Sequence, residues 1–268
     1  VPAPDLDPAA SIAFVDVDGA RLRTATWGDG AASIVLLHDG LGSIGQWRDV
    51  PFAVHRSTGA TVMAYERAGH GASTPAPSGP WPADWLHQEA AVLDGLIGRV
   101  GIESPTLVGH SDGGSIALIQ AATSGPCQSV VVLAAHTWVE DVCVESIRTM
   151  RAGRAHFVTA LSRHHDAPGA VFEAWSGGWV SDEFASWDIR PLIRDIECPV
   201  LVVQGTRDEY ATDAQLTETV DAIGANAGLH RVERGGHVLH HDEPDQVVAL
   251  IASFYDQHGS AVPAEQEE

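Results

Sequence analysis

Thr106-Leu107-Val108-Gly109-His110-Ser111-Asp112-Gly113-Gly114-Ser115-Ile116-Ala117-Leu118-Ile119-Gln120-Ala121-Ala122 runs from an apolar strand signal, TLV, through a glycine-rich turn into a helix signal, SIALIQAA. The turn fits G-x-S-x-G over residues 109–113, a pattern that carries meaning only between a strand and a helix. In that setting Ser111 sits on a sharp, strained bend. Gly109 and Gly113 relieve side-chain clashes there, and the following helix aims its N-terminus at the reacting centre. The serine hydroxyl is then expected at the carboxyl edge of a sheet. It is a weak nucleophile at neutral pH, so the reading requires a base and a group that orients the base. Both have downstream candidates: Asp208 follows the apolar run VLVV within Gly205-Thr206-Arg207-Asp208, and His237 follows LHRV within Gly235-Gly236-His237. Each falls at a strand's carboxyl end, where open α/β sheets build their sites. The competing readings are Asp208 as a helix N-cap and His237 as a core histidine.

Outward from this stretch, apolar or β-branched runs recur at residues 12–17, 21–27, 34–37, 61–65, 106–108, 130–133, 200–203 and 229–232, which predicts about eight strands. Asp18-Gly19 between the first two is a hairpin signal, so these should pair antiparallel. From Ile34 onward the runs IVLL, VVVL and VLVV are apolar throughout and alternate with helical patterns. That predicts a mostly parallel α/β sheet with helices on both faces. The stretch 136–198 breaks the alternation and carries Trp138, Trp175, Trp179 and Trp187. It reads as a helical insertion over the sheet, dividing the chain into a core of 1–135 and 199–268 and a cap of 136–198. The Pro-rich opening, about 1–10, and the polar close, about 258–268, are expected to be disordered.

With its further motifs the chain resembles the α/β-hydrolase superfamily, in particular its small lid-bearing esterase-like members. Leu36-Leu37-His38-Asp39-Gly40 resembles the family's His-Gly oxyanion loop, and Glu66-Arg67-Ala68-Gly69-His70-Gly71-Ala72-Ser73 resembles its D-x-R-G-x-G-x-S turn. His237 with Glu243-Pro244 resembles its closing G-H and E-x-P segment, here with Glu and Pro adjacent. The chain departs from the pattern at Asp39, where Gly is usual, and at Glu66 and Ala68, which replace Asp and Gly. The resemblance implies Ser111, His237 and Asp208 as a catalytic triad in the family's Ser, Asp, His order. It also implies an oxyanion hole from the N–H groups of Asp112 and of Gly40, with Leu41 as the alternative to Gly40, and it leaves Glu140 or Asp141 as rival orienting acids. The expected activity is hydrolysis of a carboxylic ester, lactone or thioester without a cofactor. A C–C bond hydrolase, a perhydrolase and a ligand-binding receptor on the same fold remain alternatives. Serine rather than aspartate at the turn argues against likeness to epoxide hydrolases and haloalkane dehalogenases.

Composition narrows the partners. A formal charge of −21, from 15 basic and 36 acidic residues, repels nucleic acid and anionic membranes. Every basic residue is Arg, so neither a Schiff-base nor a P-loop lysine is available. No apolar run reaches membrane-spanning length, and the opening residues lack a signal peptide's pattern; a cytoplasmic protein is expected, with a removed signal left open by the missing initiator Met. Cys127, Cys143 and Cys198 read as buried small hydrophobes, with one disulfide left open. The His237, His240, His241 cluster reads as no metal site, and His164-His165 reads as solvated cap surface. A small-molecule substrate with an apolar portion is expected, with Leu41, His110, Trp138, Trp175 and Trp179 as candidate contacts. Of Phe157, Phe172 and the cap tryptophans, only some should face the pocket.

Overall fold

A computed structural model describes residues 9–258 apart from Pro77 and Gly125. The expected disordered ends lie, except for Ala9, Ala10 and His258, outside the described residues; His258 is the last residue of a helix. Eight strands form one sheet in the order β1-β2-β4-β3-β5-β6-β7-β8: β1 (Ser11–Val17), β2 (Ala20–Trp27), β3 (Ile34–Leu37), β4 (Val62–Tyr65), β5 (Thr106–His110), β6 (Ser129–Leu133), β7 (Val200–Gly205) and β8 (Ala227–Val232). β1 and β2 pair antiparallel through Val17↔Ala20. The turn between them has φ 46° at Asp18 and 86° at Gly19, the double positive φ that closes a right-twisted hairpin. β2 also pairs antiparallel with β4, and every later pairing is parallel.

The all-apolar runs are explained by burial on both faces. Alternate residues of each central strand enter two separate cores: Val35, Leu37, Leu107, Val130 and Val132 join one, while Ile34, Leu36, Val108, Val131 and Leu133 join the other. The first core is covered by α2 (Trp85–Val100), α3 (Asp112–Thr123) and α7 (Asp213–Ile223). The second is covered by α1 (Val50–Thr58), the short α8 (Leu239–Asp242) and α9 (Pro244–His258). Between β6 and β7 come α4 (Asp141–Ala152), α5 (Arg154–Leu161) and α6 (Pro168–Trp179). Phe184 anchors this segment, stacking on Trp187 and meeting Trp179 and Trp85 edge-on or tilted.

Two expectations for the segment need correction. Trp138 turns away from the site: its backbone bridges Asp188 and its ring lies 4.3 Å beneath the Arg190 guanidinium. His165 is buried rather than solvated. Its Nδ1 accepts the Gly71 N–H at 2.9 Å and its Nε2–H donates to Leu41 O at 2.9 Å. Phe172 is fully buried in packing. Cys143 is buried, whereas Cys127 and Cys198 are half-buried; all three are free thiols. No described helix is long and apolar enough to cross a membrane.

Candidate active site

Ser111 links β5 to α3 with φ 52° and ψ −120°, a region that strains a residue with a side chain. The neighbouring glycines make the bend possible. A Cβ at Gly109 would lie 2.2 Å from Gly113 O, and one at Gly113 would lie 2.2 Å from Leu37 O. The strained backbone is then fastened: the Ser111 N–H donates to Leu133 O at 2.9 Å, and its carbonyl accepts the N–H groups of Gly114 and Ser115.

Ser111 Oγ lies 3.0 Å from His237 Nε2, and His237 Nδ1 lies 2.9 Å from Asp208 Oδ1. A carboxylate only accepts, so Nδ1 carries the proton and Nε2 is left to accept the serine O–H. Asp208 Oδ1 also accepts the Tyr210 N–H at 2.9 Å. Burial presses the Asp208 carboxyl upward, but the hydrogen bond and charge of His237 outweigh it and hold Asp208 below the usual carboxylate range. Burial likewise presses the His237 imidazole downward, while Asp208, together with the charges of Asp39 and Glu209, more than offsets this and raises it above 6.5. The loops meet because β7 and β8 are parallel neighbours, with Gly205 opposite Val232. His110 Nε2–H donates to His237 O at 2.9 Å and ties the base loop to the serine turn.

The rival roles fall to different residues. The N-cap of α7 is Thr212, whose side chain accepts the Ala214 N–H, so that cap is not Asp208. Glu140 is engaged by the Thr212 N–H and hydroxyl, and Asp141 lies exposed in the first turn of α4.

A cavity of about 210 Å3 opens on Ser111 and His237. Gly40, Leu41, His110, Asp112, Trp175 and Trp179 line it, and Trp138, Phe157 and Phe172 do not. The Leu41 N–H is taken by Asp39 Oδ1 at 2.8 Å. By contrast, no hydrogen bond among the described residues uses the Gly40 N–H. Asp112 is 1% exposed, and its carboxyl accepts Trp175 Nε1–H at 2.8 Å and Trp179 Nε1–H at 3.2 Å. The two indoles stand one turn apart on α6, so they share a face and fasten α6 to the start of α3. Burial raises the Asp112 carboxyl to about 7, against the opposing charge of Arg67 and the Trp175 bond.

Sequence reasoning missed several lining residues: Asp39, His136, Cys143, Ile147, Met150, Glu209 and Tyr210. His136 follows β6 at the same carboxyl edge as the triad loops, which was the available signal. Its ring packs 5.2 Å from Trp179 and 5.8 Å from His237, and burial lowers it to about 3. Ile147 and Met150, three apart on α4, had only helical spacing to announce them. His240 packs at a tilt against Trp47, and His241 donates to Gln46 O.

Residues 34–250 match the model of the alpha/beta hydrolase family. The human protein described as "Serine hydrolase BPHL" is 27% identical over 262 residues, covering 94% of this chain and 89% of that protein. The dihydrolipoyllysine-residue acetyltransferase component of the acetoin cleaving system of Cupriavidus necator is 36% identical over 121 residues, 45% of this chain. The chain spans only 30% of that relative's length. Among solved structures, the enol-lactonase of Burkholderia xenovorans LB400 superposes with a TM-score of 0.71 at 22% identity, covering 91% of this chain and all of that one.

Proposed function

The chain belongs to the alpha/beta hydrolase family, and on that premise we propose that it is a serine hydrolase cleaving a carboxylic ester, lactone or thioester through an acyl-enzyme. The observation that carries this reading is the unbroken line Ser111 Oγ, His237 Nε2, His237 Nδ1, Asp208 Oδ1, with gaps of 3.0 and 2.9 Å. His237 takes the serine proton as Oγ attacks the carbonyl carbon. Asp208 steadies the imidazolium, which then hands the proton to the departing alkoxide or thiolate. A water, deprotonated by the same imidazole, attacks the acyl carbon and releases the acid while Ser111 regains its proton.

The N–H groups of Asp112 and Gly40 receive the oxyanion. Gly40 is favoured over Leu41 because Leu41 already donates to Asp39, and the start of a helix adds its dipole at Asp112. Residues 136–198 serve as the lid, in which Ile147, Met150, Trp175 and Trp179 supply an apolar wall that excludes water and takes an apolar part of a small-molecule substrate. The acidic residues Asp39 and Glu209 also line the cavity. A neutral butyrate ester should therefore turn over at least about tenfold faster than its monosuccinate counterpart, through like-charge repulsion.

Intact-mass labelling by a fluorophosphonate tests the assignment. One adduct on the wild type, none on Ser111→Ala, and steady turnover of short acyl esters are expected. A folded wild-type protein that neither labels nor turns over esters refutes it.

A further inference from the structure

Arg67 carries a buried positive charge that the triad does not use. Its side chain is 1% exposed, and no carboxylate among the described residues forms an ion pair with it. A guanidinium held out of water with no carboxylate at ion-pair distance, only the more remote carboxyls of Glu89 and Asp112, is costly, so its two engaged arms are informative. Nη1 donates to His38 O at 2.5 Å and Nη2 donates to Asp39 O at 2.8 Å. The Asp39 carbonyl belongs to the same peptide group as the Gly40 N–H. Two more donors converge on that oxygen, His38 Nδ1–H at 2.7 Å and the Gly42 N–H at 3.2 Å. The His38 tautomer is settled by its other nitrogen, which accepts the Arg67 backbone N–H at 3.1 Å.

We propose that Arg67 is a positioning residue that strengthens the Gly40 N–H as an oxyanion donor, by holding and polarising the Asp39–Gly40 peptide from its carbonyl side. The inference rests on the serine-hydrolase reading above. Donors on a carbonyl oxygen draw electron density through the planar amide and make its N–H more acidic, the cooperative effect of linked hydrogen bonds. In a trans peptide the N–H points away from the C=O, so the charge sits behind the donor while the donor stays free. The Gly40 N–H has no acceptor among the described residues, and Gly40 lines the cavity with Ser111. The charge is fixed before the reaction and acts only as negative charge develops on the substrate oxygen, the condition for selective transition-state stabilisation.

The test uses the full chain with p-nitrophenyl acetate as substrate and trifluoroacetone as a probe that forms an anionic hemiketal with an activated serine. Arg67→Gln, neutral but still able to donate to one carbonyl, should lower kcat on the order of ten- to a hundredfold. KM should change less than about threefold, and trifluoroacetone affinity should fall in step with kcat/KM. Arg67→Lys, which keeps the charge, should recover most of that loss. A folded Arg67→Gln with unchanged kcat, or with KM and probe affinity weakened equally, overturns the proposal, as does a Lys variant no better than Gln.

Should neither variant fold, the wild type decides. In glycine-labelled protein the Gly40 amide proton must move downfield when trifluoroacetone binds, and a stationary signal overturns the proposal. A wild type that neither hydrolyses the ester nor forms the adduct refutes the serine-hydrolase reading itself and this inference with it. Turnover by wild type without selective loss in Arg67→Gln refutes this inference alone.

Discussion

Asp112→Asn should make the protein's stability less dependent on pH, because the Asp112 carboxyl is harder to ionise in the folded state than in the unfolded one. It is 1% exposed, and burial raises it from the ordinary 3.8 to about 7. The folded carboxyl therefore holds its proton more tightly. Its contribution to stability is fully present below about pH 4 and is lost as the pH rises through about 7. Between pH 4 and pH 8 that loss is about 4 kcal/mol. An amide does not ionise and escapes it. The amide does have a single acceptor oxygen, while the carboxyl meets two indole N–H groups, from Trp175 and Trp179. Leaving one buried donor less well satisfied costs about 1 kcal/mol or somewhat more at every pH. The variant should therefore be slightly less stable than wild type at pH 4 and more stable by roughly 3 kcal/mol at pH 8. Urea unfolding of both proteins across this range, followed by tryptophan fluorescence, measures the difference with every other titrating group cancelled. A stability difference constant to within about 1 kcal/mol from pH 4 to pH 8 would refute the reasoning, because it would mean that the folded carboxyl ionises as it does in water.

Other outcomes are expected on the same footing. The base must be neutral to accept the serine proton, and Asp208 raises His237 above 6.5, so kcat/KM should climb with pH along a limb whose midpoint lies above that value; Asp208→Asn should lower kcat by about three to four orders of magnitude. In Gly40→Ala the new Cβ would lie 1.9 Å from Trp175 Nε1 and 2.5 Å from Asp112 Oδ2, so the indole must leave the carboxyl. Steady-state kinetics should show kcat reduced by about a hundredfold, with altered tryptophan fluorescence. His165→Ala removes the bonds to the Gly71 N–H and Leu41 O, and chemical denaturation should show a loss of about 2 kcal/mol.

What could be read before the fold was known is what acts within a few residues. The apolar runs gave away buried strands because each must satisfy two cores at once, as Leu107 and Val108 do on opposite faces. Asp18-Gly19 announced a hairpin through the backbone angles those residues tolerate, and Gly109 and Gly113 announced the bend at Ser111 for the same steric reason. The candidate triad was legible because each member directly follows a strand run or lies a few residues beyond one. The aromatics of residues 136–198 were less so: the helical pitch of α6 aligned Trp175 with Trp179, yet nothing local told which wall Trp138 would join.

The sequence by itself determined the eight strands, their alternation with helices, the turn around Ser111 and the short set of loops able to carry its base and acid. Tertiary structure decided the pairings among them. It brought Asp208 rather than Glu140 to His237 by setting β7 beside β8 while engaging Glu140 with Thr212. It chose Gly40 over Leu41 as the free donor by folding Asp39 back onto Leu41. It buried His165, expected in solvent, between the Gly71 N–H and Leu41 O, and it put the Arg67 guanidinium behind the Asp39 carbonyl. Propensity and steric strain are local energies written in neighbouring residues, whereas a buried polar group takes its partner from whichever distant segment the assembled sheet brings within hydrogen-bonding distance.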